Sequence, residues 1–320
     1  MKNYDLHSAK KGKKDEFYTQ LTDIEKEVYY YWEHFKGKTV LCNCDDPLIS
    51  NFFRYFAMQF EHLKLKKLIA TCYRNQQSDI FSKHEVDSAV YLEYHGDKND
   101  NRIPDINEIA VKPLKGNGDF RSDECIGFLK EADIVCTNPP FSLFREYIAQ
   151  LIEYDKKFLI IGNVNAITYR NISPLIKDNK IWLGPSISSG DREFQVPNDY
   201  PITASGFRID EKGNKFIRVK GVRWYTNLPH KKRNEELILT GKYKGNEDKY
   251  PKYDNYDAIE VSKVVDIPED YDGVMGVPIT FLDKYNPKQF EIVKCGRGDD
   301  EKYVSINGRI PYYRILIRRK

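Results

Sequence analysis

This chain of 320 residues has no apolar run approaching the roughly 18 residues that a membrane span requires. It opens on Met1-Lys2-Asn3-Tyr4, which lacks the apolar stretch of a signal peptide, so the expectation is a soluble, intracellular and hence cytoplasmic protein. Cysteine is sparse: Cys42, Cys44, Cys72, Cys125, Cys136 and Cys295 include no paired C-x-x-C set. A zinc site or other metal is therefore not expected, and reduced, mostly buried thiols are the economical reading. An excess of one charge is missing too: 51 Lys and Arg stand against 48 Asp and Glu, so composition alone names no partner. Also absent are G-x-G-x-x-G and G-x-x-x-x-G-K-[ST], the glycine patterns that cradle phosphates. A ligand of this protein need not carry phosphates.

What is present begins with order. Lys10 to Lys14 form a basic, Gly-containing arm, expected to be mobile over 1–14. Asp15-Glu16-Phe17-Tyr18-Thr19-Gln20 follows without a packing pattern, which makes it a candidate for ligand contact. Thr22-Asp23 then starts a predicted helix reaching about Phe35, with Ile24, Val28, Tyr31, Trp32 and Phe35 on its packing face. Thr39 to Asn43 reads as the first core strand, and Asp46 with Pro47 as the cap and first residue of a helix from Leu48 to Phe60. Lys66 to Cys72 is a second strand, completing a βαβ unit. The strand-like piece Ala89–Tyr94 reads as part of an insertion before a third core strand near Val111. A helix capped by Ser122 runs to about Glu131, and Lys157 to Asn163 is another strand. Gly206 to Val219 reads as a hairpin, followed by a strand through Trp224 and Tyr225. From Pro229 onward βα alternation is lost, giving an expected boundary between 15–228 and 229–320. The fold class is α/β.

The most telling stretch is Asn138-Pro139-Pro140-Phe141, where the apolar strand Asp133–Thr137 hands over to an amphipathic helix. Open α/β sheets place ligands at such handovers, outside the carboxyl ends of the strands. The acidic residues Asp45 and Asp46 after the first strand, and Asp119 with Phe120 after the third, are expected at the same edge. Carboxylates and aromatics without a phosphate loop suit a cationic ligand with a purine ring, and S-adenosylmethionine fits. An exocyclic amino nitrogen on a nucleobase is a poor nucleophile because its lone pair is delocalised into the ring. If the Asn138 side-chain oxygen and the Pro139 carbonyl each accept one amino hydrogen, that nitrogen is drawn towards tetrahedral geometry and its lone pair is freed. The two prolines supply no N–H donors and fix their own φ, so the acceptors are held in place, while Phe141 offers a face for stacking. Positioning and electrostatics carry such a reaction. A base inside a duplex must first be rotated out.

These residues resemble a known family. Asn138-Pro139-Pro140-Phe141 is similar to motif IV of the amino-group DNA methyltransferases, and Asp15–Gln20 resembles the motif that precedes their first strand. Leu41–Pro47, Gly118–Ser122, Trp182–Gly184, Tyr253–Ile259, Gly276–Phe281 and Asn286-Pro287 extend the resemblance to the EcoRI-type adenine-specific methyltransferases along nearly the whole chain. The resemblance implies an S-adenosylmethionine-dependent, Rossmann-like mixed sheet with helices on both faces and a C-terminal target-recognition region. It implies N6-adenine methylation of double-stranded DNA at a GAATTC-like site, within a bacterial restriction–modification system that pairs it with an endonuclease; a monomer is the expectation. Carried over, catalytic roles fall on Asn138, Pro139, Pro140 and Phe141. Cofactor contacts fall on Tyr18, Thr19, Asp45 or Asp46, Asp119, Phe120 and Phe144, and Trp224 or Tyr225 helps to hold the rotated base. The chain departs from the pattern after the first strand, where Cys42-Asn43-Cys44-Asp45-Asp46 replaces the usual glycines, and after the second, where Tyr73-Arg74 replaces the acidic ribose ligand. Other readings are methylation of an RNA base or a protein glutamine amide, or a silent DNA-binding module.

Overall fold

The computed structural model describes residues 18–44, 50–71, 89–101, 104, 108–188, 191–196, 206–296 and 302–320. The arm 1–14, the segment 15–17 and the pair Asp45 and Asp46 lie outside the described residues.

The chain divides into two compact units. The first combines Met1–Val164 with Ser189–Leu228, and the second combines Asn165–Ser188 with Pro229–Lys320. One division of the chain falls after Leu228. The segment Asn165–Ser188 belongs with the C-terminal unit, however, and not with the continuous 15–228 block expected from sequence. Its short helix and strand carry no pattern that distinguishes them from the alternation before them.

In the first unit four strands lie parallel: β1 (Thr39–Cys42), β2 (Lys67–Thr71), β5 (Ile134–Thr137) and β6 (Lys157–Asn163). β1 is the centre of this set. Its Leu41 registers with Ile69 of β2 on one side and Val135 of β5 on the other, and all of its residues are buried. Such uninterrupted apolar strands are what a parallel sheet covered on both faces requires. β3 (Val90–Tyr94) is antiparallel to β2, and β4 (Ala110–Pro113) is antiparallel to β3. Ala89–Tyr94 is thus a strand of the main sheet, not an insertion, and β4 sits outside it with Val111 exposed. On the far side Val222–Thr226 pairs antiparallel with β6. The order β4-β3-β2-β1-β5-β6 followed by Val222–Thr226 makes the sheet mixed. The chain reverses its lateral direction between β1 and β5, so the carboxyl ends of these two strands flank the switch point where open sheets form a crevice.

The helices follow from capping and periodicity. α1 (Leu21–Val28) buries Ile24 and Val28, then tightens into a 3-10 turn at Trp32–Phe35. The tightening keeps Tyr31 and Phe35 inside but turns Trp32 outward, where it is 52% exposed, contrary to the single helical face expected. α2 (Asn51–Met58) is capped by Ser50, whose hydroxyl accepts from the Phe52 N–H; the helix therefore begins later than an Asp46 cap would place it. It is followed by the short α3 (Phe60–Leu63). α4 (Asp123–Glu131) is capped by Ser122, as its sequence signal indicates, and α5 (Phe144–Glu153) follows the proline pair through the 3-10 turn Phe141–Leu143. A separate antiparallel sheet joins Asp191–Val196, Lys215–Lys220 and Arg208–Ile209.

The second unit holds a four-stranded sheet in the order Ala258–Glu260, Val274–Pro278, Arg314–Arg319, Phe290–Cys295. Tyr253, Ala258, Val274, Val304 and Leu316 pack together in its core. No helix among the described residues is long and apolar enough to cross a membrane.

Candidate active site

The exits of β1 and β5 are tied to each other by side chains. Thr137, the last residue of β5, donates its hydroxyl to the carbonyl of Asn43, the residue after β1. Tyr147 of α5 donates its hydroxyl to the Asn43 side-chain oxygen. Burial, with the nearby Cys44 sulfur as a smaller cause, pushes the Tyr147 hydroxyl well above its usual range, so it stays protonated and serves as a donor. Asn43 itself is buried, so these bonds replace the water it has lost. Cys44 then turns the chain at φ 79°, a left-handed conformation that side chains disfavour. Cys44 thus takes a backbone conformation that usually favours glycine. Strain at such a point concentrates where a ligand approaches.

Asn138 follows directly and is buried, as is Pro139; Pro140 and Phe141 are partly exposed. The Pro140 carbonyl accepts from the Leu143 N–H at 2.9 Å, which closes the 3-10 turn and starts α5. The proline carbonyl at 139 and the Asn138 side chain therefore sit on a short segment braced at one end by a strand and at the other by a hydrogen-bonded turn. The neighbouring Cys136 thiol is held neutral by complete burial and is inert packing.

Among the residues expected to meet the cofactor, Tyr18 forms an antiparallel bridge with Gln195, its N–H donating to that carbonyl at 2.9 Å. The carbonyl of Thr19 accepts from the Asn51 side chain at 2.7 Å, fixing this segment to the start of α2, the helix that follows β1. The Thr19 hydroxyl is buried with no hydrogen-bond partner among the described residues. Asp119 and Phe120 reach the site through α5. The Phe120 ring stands edge-on to Tyr147, with centroids 5.1 Å apart, and its carbonyl accepts from Gln150 at 3.1 Å. Arg121 binds the Asp119 carboxylate side-on, Nε to Oδ1 at 2.9 Å and Nη2 to Oδ2 at 2.7 Å, and its Nη1 reaches Glu146 of α5 at 3.0 Å. The arginine's hydrogen bonds hold the Asp119 carboxyl below the usual carboxylate range.

Three aromatic residues lie deeper than the sequence reading placed them. Phe144 is buried edge-on against Tyr225, with centroids 5.0 Å apart, and Trp224 is buried against Phe52. Neither Trp224 nor Tyr225 has a ring face open to a rotated base in this arrangement. Both lie on a strand that pairs along its length with β6, so their rings are taken up by the layers above and below the sheet. Phe144 is likewise buried. Gly162 of β6 makes room for this stack: a Cβ there would stand 2.5 Å from the Phe144 ring and 3.0 Å from Tyr225. The sequence reading missed Asn43, Thr137, Tyr147, Arg121, Glu146 and Gly162. A glycine inside an apolar strand was a legible signal of close approach; the others reveal themselves only by meeting.

The geometry is that of a sheet-edge site with stiffened acceptors, and comparison with known proteins decides the family. The family model described as "Adenine-specific methyltransferase EcoRI" matches residues 5–320. This chain belongs to that family. It is 56% identical to the Type II methyltransferase M.EcoRI of Escherichia coli, over 98% of this chain and 96% of that protein. It is 43% identical to the Type II methyltransferase M.MpnI of Mycoplasma pneumoniae, covering 91% of this chain and 85% of that protein. Against M.MgeORF184P of Mycoplasma genitalium the identity is 39%, with 98% of each chain covered. No solved structure matches. The protein is thus an adenine-specific methyltransferase of the Type II kind, with the mixed α/β fold described above.

S-adenosylmethionine is the methyl donor that Type II methyltransferases use in general, and the donor set here fits it. The buried Thr19 hydroxyl, without a partner among the described residues, and the Asp119 carboxylate beside the Phe120 ring are the groups that would meet its amino-acid and purine ends.

Proposed function

We propose that this methyltransferase modifies the N6 of an adenine rotated out of duplex DNA at a short, GAATTC-like site, acting as a monomer alongside an endonuclease of the same specificity. The observation that carries the reading is the placement of Asn138-Pro139-Pro140-Phe141 at the switch-point exit of β5, braced through Thr137, Asn43 and Tyr147.

Each residue then has a task. The Asn138 side-chain oxygen and the Pro139 carbonyl accept the amino hydrogens of the target base, localising the nitrogen's lone pair. Phe141, partly exposed at the start of the turn, stacks on the base. Thr137 and Tyr147 hold the segment so that little reorganisation is needed when charge develops. No strong base is required, since a methylated ammonium loses its proton readily. When bound, S-adenosylmethionine supplies an electrophilic methyl group. Tyr18 and Thr19 would hold its amino-acid end, and Asp119 with Phe120 its adenine. The C-terminal unit is the candidate for target recognition.

Labelled-methyl transfer from S-adenosylmethionine to DNA, RNA and protein in parallel tests this reading. DNA is expected to take the label, and label on RNA or on protein glutamine alone would replace the DNA assignment. Asn138→Ala is expected to lower turnover by at least about a hundredfold, in the range seen for lost acceptor or donor groups at reacting centres, while cofactor binding stays nearly intact. Mapping N6-methyladenine in the DNA of expressing cells reads out the site.

A further inference from the structure

Arg121 was given no task from the sequence, yet four hydrogen bonds join it to Asp119 and Glu146. Asp119 Oδ1 accepts two hydrogen bonds from it, one from the Arg121 backbone N–H at 2.9 Å and one from Nε at 2.9 Å. Oδ2 accepts one, from Nη2 at 2.7 Å. An ionised carboxylate oxygen offers two lone pairs. Oδ1 is therefore saturated, and Oδ2 retains a single acceptor direction. The carboxylate is not sealed in: the Asp119 side chain is 23% exposed, whereas Glu146, on the other side of Arg121, is 58% exposed. The guanidinium also lies over the Phe120 ring, 5.3 Å from its centroid. The arginine is thus pinned on both sides, by Asp119 and by Glu146 of α5.

We propose that Arg121 is a positioning residue which fixes the Asp119 carboxylate so that one lone pair of Oδ2 meets the exocyclic amino group of the cofactor's adenine, and that Glu146 braces it in that pose. This rests on the reading of Asp119 as the adenine-side residue and deepens it. Specificity for an amino group follows from acceptor counting. A purine carrying an oxygen at that position, with a protonated ring nitrogen beside it, puts an acceptor against an acceptor. A freely rotating carboxylate could turn away; a carboxylate clamped by three bonds cannot. The arginine sets which ligand is accepted without touching it.

The test uses the full-length protein and two ligands, S-adenosylhomocysteine and S-inosylhomocysteine, which differ at the purine 6-position and its neighbouring ring nitrogen. Binding is measured by calorimetry, without turnover. The wild type is expected to prefer the adenosyl ligand by at least about tenfold, as a charge-assisted hydrogen bond implies. Arg121→Gln weakens the adenosyl ligand several-fold and shrinks the preference. Arg121→Lys, which keeps charge but loses the side-on fork, recovers only part of it. Glu146→Gln, on the exposed face of α5, shifts the preference in the same direction but less, and supplies the result if Arg121→Gln folds poorly. Equal weakening of both ligands, or tighter adenosyl binding in Arg121→Gln, overturns the proposal, since the first marks a merely structural role and the second an obstructing one. A wild type that binds both ligands equally overturns it while leaving the methyltransferase reading standing. A wild type that binds neither overturns both.

Discussion

The two units each contain an arginine clamped on a carboxylate, and the pairs serve opposite ends. In the second unit Arg314 meets Glu260 through Nε at 3.0 and 2.9 Å and through Nη2 at 2.6 Å. The Tyr253 hydroxyl donates to the same carboxylate, and Ser262 adds a long contact at 3.4 Å. Both partners are nearly inaccessible, with side-chain exposures of 13% and 6%. Every acceptor direction of Glu260 is used, so this carboxylate has nothing left for a ligand. In the first unit the Arg121–Asp119 pair is more open and leaves one direction on Oδ2 unfilled. Saturation with burial marks a structural pair; incomplete saturation with exposure marks one that is available for recognition.

The comparison can be broken most forcefully at Arg314. Arg314→Met strands an ionised Glu260 in the core of the second unit and is expected to cost about 3–5 kcal/mol in urea denaturation. Adding Glu260→Met to that variant is expected to restore at least about half of the loss, because two apolar side chains of similar volume need no partner. A double variant as unstable as the single one would show that the pair is needed for more than its own charge balance. Gly276→Ala comes next. A Cβ there collides with the Tyr253 hydroxyl and stands 2.7 Å from its ring carbon, so the tyrosine must leave Glu260. A loss of about 1–3 kcal/mol is expected, as for other overpacked sites. Burial and the Glu260 contact push the Tyr253 hydroxyl far above its usual range, which makes Tyr253→Phe a milder probe of the same bond.

Arg121→Gln sits at the other end of the scale, with a stability change expected below about 1 kcal/mol, because the pair it breaks is exposed on one side. Its effect is expected in ligand binding and in pH dependence instead. Asp119 is held below its usual 3.8 chiefly by the arginine's hydrogen bonds. A carboxyl with a lowered folded-state pKa contributes its stabilisation above the ordinary value and loses it as pH falls through the lowered one. Wild-type binding of S-adenosylhomocysteine should therefore stay level as pH falls towards the ordinary carboxylate range. In Arg121→Gln the decline should begin at higher pH. Identical profiles in calorimetric titrations across that range would sever Arg121 from the charge state of Asp119.

Gly162→Ala probes a third kind of contact, the aromatic pair of Phe144, which follows the proline turn, and Tyr225. Displacement of Phe144 and Tyr225 is expected to lower turnover more than cofactor affinity, since α5 begins at Phe144 and carries Tyr147. A change in cofactor affinity alone would mean that Phe144 lines the cofactor site after all.

Much of the site was visible as short sequence stretches. The proline pair announced a stiff turn, Ser122 announced a cap, and the apolar runs announced parallel strands, because each signal acts within a few residues of itself. Resemblance alone gave Trp224 or Tyr225 the task of helping to hold a rotated base. Their strand position against β6 buries them instead, and side-chain burial depends on what packs above and below a strand, which a linear pattern does not carry. The same reason explains Trp32: a helix that tightens by a fraction of a turn moves a residue off the apolar face.

By itself, the sequence determined the chemistry on an amino group and, through long stretches of similarity, the family to which the chain belongs. The tertiary structure decided which residues meet. Thr137 reaches Asn43 across 94 positions and Tyr147 reaches it across 104, while Arg121 ties Asp119 to a helix 25 residues away. Nothing in local propensity specifies such pairings. They arise because the reversal of strand order at β1 and β5 brings distant strand ends to one edge, where buried polar groups must find partners or lose their hydrogen bonds.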